Sequence, residues 1–372
     1  MRGNMQSRLN LIVSLGCSIV GLSFVLFDST ELQAQEPAQE LPRRSATYET
    51  NRADEPLADE FSFDQAVRFM NKTSSWWQDR KDCVTCHTNG LSLVGQAMLP
   101  TPHPATELSR EFAQSYLKSF IVDGRVPRGQ HGSIEGLVTT SAMLAISDAI
   151  VNQGQLKPAT RQALDYVWSK QDASGAWTGW LKCDWPPFEH DDHFGVSLMA
   201  VAVAMAGEEY AQSPTAKVGI QRINRYLKKH PPTNSHQKGM LLWAGRYMPN
   251  LVPAKKKHQW REELLALQQE DGGWSLLSLG DESWKRAGNG NRQDTISDAY
   301  GTGFAIFVLR QAGIKADSPA LKGGVDWLKS NQRASGRWFT RSLKFRTTPS
   351  KHYISHAGTT FAIMALIECG QK

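Results

Sequence analysis

The sequence predicts an all-α protein built from paired helices, and two observations carry that expectation. A seven-residue pattern, Gln-x-x-x-Gly-x-Trp, recurs three times: "QDASGAW" (171–177), "QQEDGGW" (268–274) and "QRASGRW" (332–338). Repetition of one short pattern marks a repeat architecture. Each copy also follows an amphipathic helical stretch and precedes, after a polar loop, a second stretch that is apolar nearly all round.

The first helices of these pairs show apolar residues at helical spacing. Leu164, Val167 and Trp168 precede the first copy, Trp260, Leu264 and Leu267 the second, and Leu321, Val325 and Leu328 the third. The glycine of each copy is expected to end its helix in the left-handed conformation. The second helices, "FGVSLMAVAVAMAG", "GTGFAIFVLRQAG" and "AGTTFAIMALIECG", are rich in small residues and lack a polar face. A helix buried on every side needs that composition. An outer amphipathic helix and an inner buried one therefore form each repeat.

These residues resemble the squalene cyclase and protein prenyltransferase repeat family, whose hallmark is the Gln-x-x-x-Gly-x-Trp motif. With degenerate repeats included, the resemblance covers residues 61–369. It implies an (α/α)6 toroid, six inner helices forming a barrel within six outer ones. The chain partitions accordingly into pairs near 61–99, 105–150, 159–207, 213–250, 259–313 and 318–369, a single toroid domain over 61–372. The fourth pair is the weakest, with "VGIQRINRYLKKH" outside, "KGMLLWAGRYM" inside and no motif between.

The chemically most distinctive stretch is "DCVTCHTNG" (82–90). Two cysteines three apart followed at once by histidine are what covalent c-type haem attachment requires: Cys83 and Cys86 supply the thioether sulfurs and His87 the proximal iron ligand. With five cysteines and ten histidines in 372 residues, chance places the pattern in about two chains per thousand. Zinc is the weaker alternative. A structural zinc site wants two further ligands at short spacing, and Cys17, Cys183 and Cys369 stand alone. Cys183, in "WLKCDWPPF", reads as an isolated buried thiol, with a metal ligand, a redox thiol or a disulfide to Cys369 as alternatives.

C-type haem is attached outside the bacterial cytoplasm, so the haem reading requires export. Arg2 and Arg8 precede an apolar run over residues 9–27, and "LQA" before Gln35 is a passable cleavage site. Residues 1–34 thus read as a signal peptide, or as an uncleaved N-terminal anchor, since the run is long enough to span a bilayer. Cys17 is a poor lipidation site, because apolar residues continue past it. Residues 35–60, polar and rich in Glu, Pro, Ala and Arg, read as a flexible linker. The expected location is periplasmic or otherwise extracytoplasmic. The formal net charge is +6; the cluster "AKKKHQWR" reads as a solvated basic loop, and it permits contact with an acidic redox partner protein or an anionic membrane surface. No recognition motif for nucleic acid is present.

The haem motif falls in the first pair, where the Gln-Gly-Trp loop stands in other pairs, between "FDQAVRFMNKTSSWWQDR" and "SLVGQAML". In a toroid all such loops lie at one mouth of the barrel, where the positive ends of six inner helices converge. Polar residues gather there: Glu135, "EHDDH" (189–193), His236, Asp298 and His356. His190, His193, His236, His356 and His131 are candidate distal iron ligands, with Met98 as a sulfur alternative. Ordinary N-capping by Asp191, Asp192 and Asp298 is the bland reading of the acidic residues. Trp76 and Trp77 either shield a porphyrin face or pack the outer helix.

Two functional classes follow from the haem reading: a redox or electron-transfer protein, and a haem-bearing binding or sensing module without turnover. The resemblance adds an apolar small molecule, an isoprenoid, in a central cavity at the haem mouth. It also supplies a third class. Class II terpene cyclases protonate an alkene with an Asp-x-Asp-Asp motif, matched here by Glu189-His190-Asp191-Asp192 with Glu in the first place. Asp191 would inherit the acid role in a catalytic set of Glu189, Asp191, Asp192 and Asp298. Against it, squalene cyclases use two toroids and this chain has one. Prenyltransferase zinc ligands are not in their expected settings; at best Asp298 and His356 stand where such ligands would.

Overall fold

A computed structural model describes residues 52–124, 134–180, 182, 185–284, 296–343 and 353–371. Six helices are outer: α1 (Phe63–Lys81), α3 (Pro104–Ile121), α5 (Pro158–Ser169), α8 (Pro214–Lys229), α10 (Ala254–Leu265) and α13 (Pro319–Ser330). Six are inner: α2 (Asn89–Ala97), α4 (Ile134–Val151), α6 (His193–Met205), α9 (Ser235–Tyr247), α12 (Ala299–Gln311) and α14 (Ile354–Glu368). Two short helices, α7 (Gly207–Ala211) and α11 (Leu276–Leu279), fill connections. Among the described residues there is no β-strand, only the isolated bridges Leu57–Arg333 and Trp185–Glu189.

Four outer helices open on proline at the first turn, where the missing N–H costs nothing and the fixed φ suits a helix start. The inner helices pack in a closed ring, α2 on α4, α4 on α6, α6 on α9, α9 on α12, α12 on α14 and α14 back on α2. α4 is long and apolar enough to cross a membrane, but most of it is buried within this ring. The architecture is the predicted α/α toroid. Boundaries shift locally: α2 begins three residues before "SLVGQAML", and α10 begins at Ala254, so the basic cluster is helix rather than loop.

The three motif loops build the same joint. Each glutamine amide donates to the carbonyl of its own loop glycine and to a carbonyl of the next outer helix or its cap: Gln171 to Gly175 and Gly219 (3.0 and 3.4 Å), Gln268 to Gly272 and Ala320 (2.7 and 2.8 Å), Gln332 to Gly336 and Ser62 (3.0 and 2.9 Å). Each tryptophan N–H reaches back ten residues, to the carbonyls of Val167, Leu264 and Leu328. The Gln332 joint closes the ring onto α1. The glycines are left-handed as expected (φ 98°, 88° and 90°), but they do not end their helices, which stop at Ser169, Leu265 and Ser330. They lie where the loop meets the backbone of the following outer helix. A Cβ on Gly336 would stand 2.4 Å from the Gln65 carbonyl.

Residues 55–60, expected to belong to a flexible linker, are instead pinned to this last loop. Arg333 donates to the Glu55 carbonyl (2.8 Å), Ala58 N–H to Gln332 O (2.8 Å) and Ala334 N–H to Pro56 O (3.0 Å), and Glu55 forms an ion pair with Arg337. Arg337 is buried, so a carboxylate beside it offsets an otherwise costly charge. Residues 1–51 lie outside the described residues, and with them the signal or anchor segment and most of the linker.

The barrel axis is filled. Along it run Tyr300, Phe304, Phe361, Phe307 and Trp243, with successive ring centroids 5.9, 5.3, 6.1 and 4.9 Å apart. A cavity opens at the mouth opposite the motif loops, among the last turns of all six inner helices.

Candidate functional site

The loop between α1 and α2 is held by its own side chains. α1 ends at Asp82, left-handed at φ 47°. Asn89 then closes the loop on itself: its Oδ1 accepts the Thr85 N–H (3.0 Å) and its Nδ2 donates to the Cys83 carbonyl (3.0 Å). Gly90 makes this closure possible, because a Cβ there would lie 2.5 Å from Thr85 O and 2.9 Å from the Met143 sulfur. Cys83 is half-buried, Cys86 and His87 are buried.

His87 is enclosed by rings. Tyr353 stacks on it at 5.0 Å, Trp185 lies at 4.7 Å, Trp77 meets it edge-on at 5.1 Å and Phe188 at 6.2 Å. Burial, and secondarily His356, hold its pKa well below the ordinary histidine value, so the ring is neutral at physiological pH. Its Nδ1 lies 2.7 Å from Thr88 Oγ1, which also lies 3.4 Å from His356 Nδ1. One hydroxyl has one proton, so it serves both rings only when one imidazole donates and the other accepts. With His87 as the donor, its Nε2 is a lone pair suited to a metal, and Thr88 passes its own proton toward His356. This is the outer support that fixes the tautomer of a ligating histidine.

The donor set fits a c-type haem: two thiols, a neutral imidazole bonded at Nδ1 by Thr88, and apolar rings around it. Zinc gains no support, since among the described residues no group of three His, Cys, Asp or Glu side chains is placed to hold a metal ion.

The other expected site residues separate into distinct settings. His356 is buried and held to about 3 by burial and by Arg337; it meets His87 through the Nδ1 edge, away from the nitrogen left for a ligand. His193 and His236 are buried and neutral, lowered by burial to about 4 and about 3. His193 Nδ1 donates to Ser197 Oγ (2.8 Å), because that hydroxyl spends its proton on the His193 carbonyl (2.6 Å), and His193 Nε2 has no partner. His236 Nε2 bonds the Tyr300 hydroxyl (2.9 Å), and His190 Nε2 the Ser283 hydroxyl (2.9 Å). Phe188 and Tyr300 stand between His87 and His236, in centroid steps of 6.2, 5.9 and 5.9 Å. Met98, offered as a sulfur ligand, is at the wrong end: it caps the C-terminus of α2, roughly 14 Å along the axis from the loop at 1.5 Å per residue. His131 and Cys183 lie outside the described residues. Cys369 is a buried thiol at the end of α14, pushed up to about 11 by burial.

Among the carboxylates, Asp298 is a buried cap. It accepts N–H bonds from Gly301 (2.9 Å) and Leu276 (2.7 Å) and the Thr340 hydroxyl at 3.3 Å. Asp191 accepts from His193 N–H (2.8 Å) and Gln237 Nε2 (2.9 Å). N–H donors thus engage both of its oxygens. Asp192 pairs with Lys182 at 2.8 Å. Glu189 forms the backbone bridge with Trp185 that positions that ring, and Glu135 is buried in the first turn of α4. Sequence reasoning did not single out Thr88, Asn89, Tyr353, Trp185 or Phe188. Only their proximity to the motif in sequence hinted at the first two; the rings arrive from other repeats.

Residues 250–371, about a third of the chain, match the family profile described as the squalene-hopene cyclase C-terminal domain. A comparison with curated proteins finds no match. Among solved structures, a UGL variant with dGlcA-Glc-Rha-Glc is 13% identical with a TM-score of 0.51, covering 83% of this chain and 97% of that one. A glycosyl hydrolase family 88 protein from Bacteroides vulgatus is 12% identical (TM-score 0.49, 83% and 99% covered). The type II terpene cyclase MstE from Scytonema is 10% identical (TM-score 0.47, 83% and 99% covered). At such identities the likeness concerns the α/α toroid fold and no activity follows from it.

Proposed function

We propose that this is an exported electron-transfer protein with a haem bound covalently through Cys83 and Cys86 and His87 as proximal ligand. The observation that carries the reading is His87 itself: within a Cys-x-x-Cys-His loop, it is buried, neutral and oriented by Thr88. A haem bound there supplies a one-electron iron couple. The protein supplies the rest. Thr88 bonds the His87 ring at Nδ1, Asn89 holds the loop closed between the thiols and α2, and the surrounding rings bury the imidazole, a setting that would tune potential. The basic turn of α10 does not favour docking of a redox partner at this mouth. Lys257 is committed to the Gly245 and Pro249 carbonyls at the C-terminal end of α9, the opposite end of the barrel. Proton-initiated cyclisation at Asp191 is disfavoured by that residue's two N–H partners.

The test is a pyridine haemochrome spectrum of the protein exported through a host with cytochrome c maturation, beside the Cys83→Ala, Cys86→Ala double variant. A covalent c-type spectrum confined to the parent supports the proposal, and parent protein carrying no covalent haem sinks it. Carbon monoxide then separates the two haem functions. Reduced protein that takes up none supports electron transfer; ready uptake points to an open iron and to sensing or turnover.

A further inference from the structure

Tyr300 stands two ring steps from His87. Phe188 lies between them, its centroid 6.2 Å from the His87 ring and 5.9 Å from the Tyr300 ring. The Tyr300 ring also packs against Phe304 and Phe361 (5.9 and 5.2 Å), and the residue is wholly buried. Its hydroxyl nonetheless has a base beside it. Tyr300 Oη lies 2.9 Å from His236 Nε2, its one side-chain partner among the described residues, and His236 is buried as well. The phenol proton is therefore donated to that nitrogen, since a buried O–H without an acceptor is costly.

This geometry suits one-electron oxidation of the phenol. An electron taken from a buried tyrosine alone would leave a radical cation, a very strong acid, in surroundings that solvate charge poorly. The proton must leave with the electron, and it needs an acceptor already in place. Burial lowers His236 to about 3, which still makes it a far stronger base than an oxidised phenol. Tyr353, the other tyrosine near His87, stacks on that ring at 5.0 Å, and its hydroxyl has no such base among the described residues.

We infer that Tyr300 and His236 form a redox-active pair that takes up an oxidising equivalent arriving at the cysteine loop. A one-electron oxidant there gains an electron from Tyr300 across Phe188. The Tyr300 O–H bond breaks, its proton forms an N–H bond at His236 Nε2, and a neutral tyrosyl radical and a histidinium remain. Return of one electron, with the proton moving back, restores the phenol. The oxidant is any centre at the loop stronger than the phenol couple, so the inference does not depend on a haem.

The experiment is flash photolysis of the exported full chain with tris(bipyridine)ruthenium(II) and a cobalt(III) quencher, which together generate a one-electron oxidant in solution. Electron paramagnetic resonance then reads the radical. Radicals on exposed rings such as Tyr247 meet solvent and decay early, so the late signal is the one that counts. The parent should give a late tyrosyl signal, narrowed by ring-deuterated tyrosine, that disappears in Tyr300→Phe and persists in Tyr353→Phe. The amide of His236→Gln can hold the hydroxyl but cannot take its proton. That variant should slow formation of the radical about a hundredfold and so cut its late yield, a loss that a merely structural hydrogen bond would not produce. No late tyrosyl signal from the parent, a signal that survives Tyr300→Phe, or an unchanged yield in His236→Gln overturns the inference. Should Tyr300→Phe not fold, the other two variants decide: a cut yield in His236→Gln with full signal in Tyr353→Phe supports the pair, and any other result overturns it. Because the oxidant is supplied from outside, this outcome is read separately from the haemochrome test.

Discussion

Lowering the pH from 7 to 5.5 should destabilise the fold steeply, because four buried histidines must remain neutral in it. His193 is lowered to about 4, His236 and His356 to about 3, and His87 well below the ordinary value, all chiefly by burial. In the unfolded chain each titrates near 6.5. Between the folded and unfolded values the unfolded state binds more protons, so stability is present above about pH 6.5 and is lost as the pH falls toward 4. Over the interval from pH 7 to 5.5, each ring costs about 1 kcal/mol, and the four together cost several kcal/mol, on the order of 5. Carboxylates contribute little there, because they titrate lower: Asp281, for example, is held at about 2 by its hydrogen bonds against the opposing effect of burial. The assay is urea unfolding at the two pH values. His236→Gln should reduce the loss by about one quarter, and covalent loading that engages His87 should do the same. A loss below about 2 kcal/mol would refute the reasoning, since it would mean that the rings are charged or hydrated in the folded protein.

Three further outcomes follow from the joints of the ring. Gln332→Ala removes three buried hydrogen bonds, two donated by Nε2 and one accepted from Ser62 N–H at 2.7 Å, and should cost about 3 kcal/mol in chemical denaturation. Gln171→Ala removes only the two donated bonds, its Oε1 having no partner, and should cost about 2 kcal/mol; the reverse ranking would refute the ring-closing role of Gln332. Gly313→Ala and Gly336→Ala both place a side chain at φ 90°, yet nothing lies within 4 Å of the first. The first should cost about 1 kcal/mol from backbone strain alone and the second markedly more, and equal losses would argue against contact with α1. Asp298→Ala strips the cap from α12 and leaves the buried Leu276 N–H unpaired, and should lower stability by about 3 kcal/mol; a loss under about 1 kcal/mol would reopen a catalytic role for that carboxylate.

Much of the cysteine loop was legible in advance. Cys83, Cys86 and His87 are a local pattern, and covalent attachment depends on spacing along the chain. What completes the site is not local. Trp185 and Phe188 come from the third pair and Tyr353 from the sixth, and no regularity within the first pair announces them. The acidic residues show the converse difficulty. Asp191 and Asp298 looked alike in sequence, each before an inner helix, yet the hydrogen bonds that define their roles come from Gln237 in one case and from Leu276 and Thr340 in the other.

The sequence by itself determined that helices pair, which member of each pair is buried, and at which end of the inner helices the cysteine loop stands. Hydrophobic period and the repeated Gln-Gly-Trp spacing carry that information, because burial of one helical face is a property of a continuous segment. Only the tertiary structure decided that the motif glycines serve the joint with the next outer helix, that residues 55–60 are stitched to the last loop, and that Met98 and the basic turn of α10 face away from His87. It also decided that aromatic rings from α9, α12 and α14 stack through the middle of the inner ring. These outcomes depend on side-chain volumes meeting from helices hundreds of residues apart, and such sums are settled only when the ring closes.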